Sequence, residues 1–139
     1  MIAFDADILT EIWAGHSAYA ERAAQFPLHE QSVPVVVVEE ILRGRLNAIR
    51  QAETGKLKLS IERAYGLLEE TVHAFRQVLI LPYTRQAETQ FQQWRTQKIR
   101  VGTHDLRIAA SCLVHAAKLV TRNRRDFEQV PELLFEIWT

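Results

Sequence analysis

The chain has 139 residues, 47% hydrophobic and 24% charged, with 17 basic and 17 acidic side chains that cancel. That size and balance fit an ordinary globular domain with a real core, and zero net charge excludes a protein that holds nucleic acid by overall charge, though not one with a local basic patch. One cysteine, Cys112, rules out a disulfide framework or a thiolate metal cluster, and no apolar run approaches the ~20 residues of a membrane span.

Met1 to Phe4 reads as a short buried strand. No basic segment precedes it, which argues against a signal peptide and sets a cytoplasmic protein as the expectation. Asp7 to Phe26 carries Ile8, Leu9, Ile12, Trp13, Tyr19, Ala20 and Ala23 at helical spacing, as two helices broken near Gly15 and ended by Pro27. Val33 to Val38 predicts a strand covered on both faces, and Glu39 to Ala52 returns to helical spacing through Ile41, Leu42, Leu46 and Ile49.

After a turn at Gly55, Ser60 caps a helix to about Arg76, with Ile61, Ala64, Tyr65, Leu68, Val72 and Phe75 on its buried face. Val78 to Leu81 is a third strand, stopped by Pro82. Thr84 caps a helix that buries Ala87, Phe91 and Trp94. Thr103 or Asp105 begins a helix rich in small residues, on which Cys112 is a small buried hydrophobe. Leu119 to Thr121 is a fourth strand, and Leu133 to Trp138 a fifth, at an edge. Strands alternating with helices predict a single α/β domain over residues 1–139, a three-layer α/β/α sandwich on a mostly parallel sheet.

Four acids fall where strand-like runs end or helices begin: Asp5, Glu40, Asp105 and Asp126. In an open parallel sheet those positions gather at the edge that binds ligands. Singly, each has another explanation. Asp5 and Asp105 suit helix starts, Glu40 a solvated helix face, and Asp126 a turn cap. Together at one edge they would repel one another, and a divalent cation offsets that directly. Oxygen donors suit Mg²⁺ or Mn²⁺. The five histidines, at 16, 29, 73, 104 and 115, have no zinc-ligand spacing, and surface placement suits His104. No Gly-rich phosphate loop or Gly-x-Ser-x-Gly elbow is present. A metal-dependent nuclease is the expectation.

In order along the chain, four blocks carry a resemblance: Phe4-Asp5-Ala6-Asp7, Glu40-Ile41-Leu42-Arg43-Gly44, Asp105-Leu106-Arg107-Ile108-Ala109-Ala110, and Thr121-Arg122-Asn123-Arg124-Arg125-Asp126-Phe127 followed by Val130-Pro131 and Leu133. The chain resembles the PIN domains, and among them the VapC-type toxin ribonucleases. Any one block is weak, and the four in sequence are specific. The resemblance implies a Mg²⁺-dependent endoribonuclease, with Mn²⁺ able to substitute. Its catalytic and metal-binding carboxylates would be Asp5, Glu40, Asp105 and Asp126, with Asp5 and Asp105 closest to the metal. Asp7, Thr121 and Asn123 would support them; Asp7 stands where many members have Asn, and Arg122 replaces a frequent Asn. Spacing to Gly44 favours Glu40 over Glu39.

Basic residues near the acids, Arg43, Arg45, Arg107, Arg122, Arg124 and Arg125, are candidates to meet RNA phosphates, against a solvated face for at least half of them. The resemblance further implies a homodimer and a cognate VapB-type antitoxin lying across the groove. Tyr65, Phe91 and Trp94 could serve core or interface, with core the better expectation. Two rivals stand beside this reading: a PIN-like module that only binds RNA or protein, and a haloacid-dehalogenase-like phosphatase with Asp5 as nucleophile and Asp7 as acid/base. Leu9, where that phosphatase motif has Thr, counts against the second.

Overall fold

A computed structural model describes residues 1–139. Its strands are β1 (Ile2–Phe4), β2 (Gln31–Pro34), β3 (Leu79–Leu81), β4 (Lys118–Thr121) and β5 (Phe135–Ile137). Its helices are α1 (Ala6–Trp13), α2 (Ser17–Ala24), α3 (Val35–Glu53), α4 (Ile61–Phe75), α5 (Arg85–Thr96), α6 (Thr103–Val114) and α7 (Arg124–Phe127), with a 3₁₀ turn at Leu28–Glu30. The strands form one sheet in the order β3-β2-β1-β4-β5, and every neighbouring pair is parallel. The expected α/β/α fold is therefore present, with β5 at the edge and no antiparallel strand.

The order of the strands explains where a site can form. From β1 the chain steps outward through β2 to β3, then returns past β1 to β4 and β5. Parallel crossovers are right-handed, so stepping in opposite directions puts α1–α4 on one face of the sheet and α5–α7 on the other. The two series diverge between β1 and β4, leaving a crevice beyond their carboxyl ends.

β1 is buried along its whole length, as a central strand covered on both faces requires. Trp138, just after β5, is 1% exposed and packs edge-on against Phe4 with ring centroids 6.0 Å apart. Phe91 and Trp94 are buried on α5, as expected. Gly15 links α1 to α2 at φ +80°, a backbone state that glycine adopts without steric penalty. No helix is long and apolar enough to cross a membrane.

Two expectations are corrected. The second strand is Gln31–Pro34, and Val35–Val38 belong to α3. Pro34 closes the strand and stands just before the helix with extended backbone, φ −62° and ψ 142°. Its ring fixes that φ and removes an N–H, which suits a strand-to-helix junction. Once the helix has begun, valine costs only a few tenths of a kcal/mol per residue against better helix formers, which burial of Val37 offsets. Glu40 thus lies in the second turn of a long helix rather than at its start.

The second correction concerns α4. Tyr65 and Val72 are 54% and 44% exposed, and the buried line is Ala64, Thr71 and Phe75. Thr71 can be buried because its hydroxyl is satisfied, donating to the Leu67 carbonyl at 2.7 Å and accepting from Arg45 Nε at 3.0 Å.

Candidate active site

Asp5 leaves the end of β1 and caps α1, accepting the Ala6 N–H at 2.8 Å through Oδ1. Its other oxygen accepts the Thr121 hydroxyl at 2.6 Å. Thr121 ends β4, so this bond closes the crevice between the two diverging strands. The same Thr121 oxygen accepts the Asn123 backbone N–H at 3.1 Å.

Asn123 continues the chain of contacts. Its Oδ1 accepts the Asp126 N–H at 3.2 Å and so caps α7, while its Nδ2 donates to Asp126 Oδ2 at 2.9 Å. The same nitrogen lies 3.5 Å from Asp105 Oδ2, on the first turn of α6. Asp5, Asp105 and Asp126 are thereby tied into one network through one hydroxyl and one amide. The folding logic is local: each acid or its anchor occupies a helix N-terminus or a strand end, where unpaired N–H groups favour oxygen acceptors.

The electrostatics match this crowding. Burial, opposed by the bonds from Thr121 and Ala6, raises the Asp5 carboxyl above the usual range, and the nearby charge of Asp7 adds to this. Asp105 is pushed up to about 6 by burial, then by the charges of Asp5 and Asp126. Glu40 sits at the rim; partial burial raises it first, followed by the charge of Asp5, with Asp105 and Asp7 contributing less. His104 works in the opposite direction on both Glu40 and Asp105. Asp7 is exposed on the first turn of α1 and reaches the group by charge alone.

No group of three or more His, Cys, Asp or Glu side chains is arranged to enclose a metal ion unaided. Mg²⁺ does not require such a cage, since it takes one or two carboxylates and keeps several waters. An all-oxygen donor set of carboxylates that raise one another's pKa fits a hard divalent cation.

The candidate basic residues are mostly engaged. Arg43 pairs with Glu39 one turn earlier on α3. Arg107 lies 3.6 Å from Glu88 and 4.5 Å from the centre of the Phe91 ring. Arg122 reaches Glu11 at 4.0 Å. Arg45 bonds Thr71 on α4, away from the network. Arg124 and Arg125 are exposed on α7. Sequence reasoning undervalued His104, which is half-buried with Nε2 3.0 Å from Glu39 Oε1, without a hydrogen bond between them. It also missed Tyr83 and Glu88, joined by a 2.7 Å bond from the phenol. Nothing in their spacing marks them, because α3, α5 and α6 meet only in the fold.

The chain matches the PIN domain family model over residues 2–133. No curated protein is similar enough in sequence to match. Among solved structures it is similar to the DNA-bound VapBC from Salmonella typhimurium, at 22% identity and TM-score 0.75 with all of both chains covered. It is similar to VapBC2 from Rickettsia felis bound to a promoter DNA fragment, at 21% identity and TM-score 0.75, again covering all of both chains. VapBC-1 from nontypeable Haemophilus influenzae gives 20% identity and TM-score 0.74 over 99% of this chain and 98% of that one. At such identities these likenesses show the fold, whereas the family match spans nearly all of the sequence. With Asp5, Asp105 and Asp126 gathered at the crevice beside β1 and β4, the chain belongs to the PIN domain family.

Proposed function

We propose that this chain is a Mg²⁺-dependent endoribonuclease, the VapC-type toxin of a type II toxin–antitoxin pair. The observation that carries the proposal is the network joining Asp5, Asp105 and Asp126 through Thr121 and Asn123. Likeness to chains from VapBC complexes supports the toxin assignment and a VapB-type antitoxin as partner; a homodimer is part of the same proposal.

Asp5 and Asp105, with Glu40 and Asp126 beside them, would hold the cation; Mn²⁺ could replace Mg²⁺. Bound there, the ion would supply a Lewis acid that acidifies a water and offsets charge on the scissile phosphate. The protein's own work is positional. Thr121 and Asn123 hold the carboxylates against their mutual repulsion and fix which lone pairs face the crevice. The Asp5 oxygens are engaged by the Thr121 hydroxyl and the Ala6 N–H, and no serine, cysteine or histidine lies in the network, which supports water as the attacking group. Arg124 and Arg125, exposed on α7 with Asp126, would meet phosphates that an acidic crevice would otherwise repel.

The test is cleavage of RNA by purified protein with Mg²⁺, with EDTA, and with Asp5→Asn. Cleavage should require the metal and Asp5. Full activity in EDTA, or a wild-type rate from the Asp5 variant, would defeat the proposal.

A further inference from the structure

Beside the carboxylate network lies a cavity of about 410 Å³ where α3, α5 and α6 converge on the loop after β3. Val35 and Val36 supply its apolar part. Tyr83 and His104 supply two rings, and Glu39, Glu88 and Arg107 supply charged groups. Two of its lining residues are chain neighbours of the candidate acids: Glu39 precedes Glu40, and His104 precedes Asp105. The network of Asp5, Thr121 and Asn123 makes no use of it.

We propose that this cavity receives the base of a nucleotide next to the scissile phosphate, with guanine preferred. The inference rests on the nuclease reading above and adds to it a source of sequence preference.

Arg107 already faces the Glu88 carboxylate, and that decides between two roles for it. A guanidinium facing Glu88 at 3.6 Å and stacked on Phe91 adds little net attraction for a phosphate. Its remaining N–H groups are nonetheless held in a planar fork, the geometry that reads the O6 and N7 acceptors of guanine. Glu39 or Glu88 can accept from the N1–H and the exocyclic amine of the same base. Neither uracil nor cytosine presents both halves of that pattern. The rings of Tyr83 and His104 and the two valines give a flat base apolar surface to lie against. Tyr83 stays a neutral phenol, because burial and its bond to Glu88 push it up to about 12.

The test uses the full chain, Mg²⁺ and a pool of short RNAs randomised around a central stretch, with fragment ends sequenced. Wild type should show guanine enriched at one fixed position beside the cut. Arg107→Ala should flatten that position by roughly tenfold, within the range expected for losing one bidentate arginine–guanine pair. Arg107→Lys keeps the charge and the fold but loses the fork, so it should flatten the same position while the salt dependence of cleavage stays as in wild type. A wild type that cuts with no base preference would overturn the subsite and leave the nuclease reading intact. So would Arg107 variants that cut more slowly with unchanged preference and a shallower salt dependence, the behaviour of a phosphate contact. A wild type that cuts no RNA with any divalent metal would overturn both this subsite and the nuclease reading.

Discussion

Replacing Asp105 with Asn should stabilise the metal-free protein above neutrality and leave it unchanged in acid. The Asp105 carboxyl is pushed up from 3.8 to about 6 by burial and by the charges of Asp5 and Asp126. A displacement of that size corresponds to roughly 3 kcal/mol of unfavourable charge in the folded state. Asp105 is only half-buried, so solvent screening reduces this to about half. The substitution also removes a negative charge from the first turn of α6, where it interacts favourably with the helix dipole by about 0.3–1 kcal/mol. About 1 kcal/mol remains, which for a chain of this size is a rise in Tm of roughly 3 °C.

The sign follows from proton counting. Between 3.8 and about 6 the folded protein holds a proton that the unfolded chain has released, so wild-type stability falls as pH rises through that window. The variant lacks this fall. The two melting curves should coincide at about pH 4 and separate by about pH 7, measured by circular dichroism in EDTA. Saturating Mg²⁺ should stabilise wild type more than the variant and narrow or reverse the gap. A variant less stable than wild type near pH 8 in EDTA, or a gap of equal size at every pH, would refute the argument that these carboxylates strain one another.

Metal affinity of wild type, measured by calorimetry, should fall as pH drops below about 6, because Asp105 must lose its proton to bind a cation; affinity flat from about pH 5 to 8 would remove Asp105 from the ligands. Thr121→Val keeps the buried shape but leaves Asp5 Oδ2 and the Asn123 N–H without their partner, so it should destabilise by about 1–3 kcal/mol and weaken Mg²⁺ binding by about 10–100-fold. An unchanged metal titration would show that the hydroxyl does not orient Asp5. Induced expression of wild type should arrest bacterial growth and that of Asp5→Ala should not; equal growth from two soluble proteins would argue against a toxin. Tyr65→Ser, on the outer face of α4, should change monomer stability by less than about 0.5 kcal/mol in chemical denaturation; a loss several times larger would mean that the ring is buried in solution.

The layered fold and most of its elements were legible because they depend on local signals: the apolar run before Asp5, the cap at Thr84, the small residues of α6. The start of α3 was not. Val35–Val38 carries a strand's composition, and only packing against the sheet and its neighbouring helices makes it helical. The α4 face was misjudged because Thr71 reads as polar until its two hydrogen bonds are seen. At the site, the acids were found by position relative to the strands. Thr121 and Asn123 came from the motif, and their bonds to Asp5 and Asp126 needed coordinates. The pairing of Arg107 with Glu88 was beyond reach, since the two residues share no element and no periodic pattern relates them.

The bond between Thr121 and Asp5 joins residues 116 positions apart, and β4 is the partner on one whole side of β1. A chain made from N- to C-terminus therefore contains Asp5 well before Thr121, and that carboxylate waits for the intervening residues before it is anchored. Until residues 118–121 have left the ribosome, β1 has an open edge, Asp105 has no Asn123 beside it, and the crevice has only one wall. Closing so long a loop is slow relative to forming the local helices, so the site is among the last parts to assemble. The order of the strands thus makes the carboxylate network a late product of folding: it exists only once β4 has docked on β1 and brought Thr121 and Asn123 to the acids.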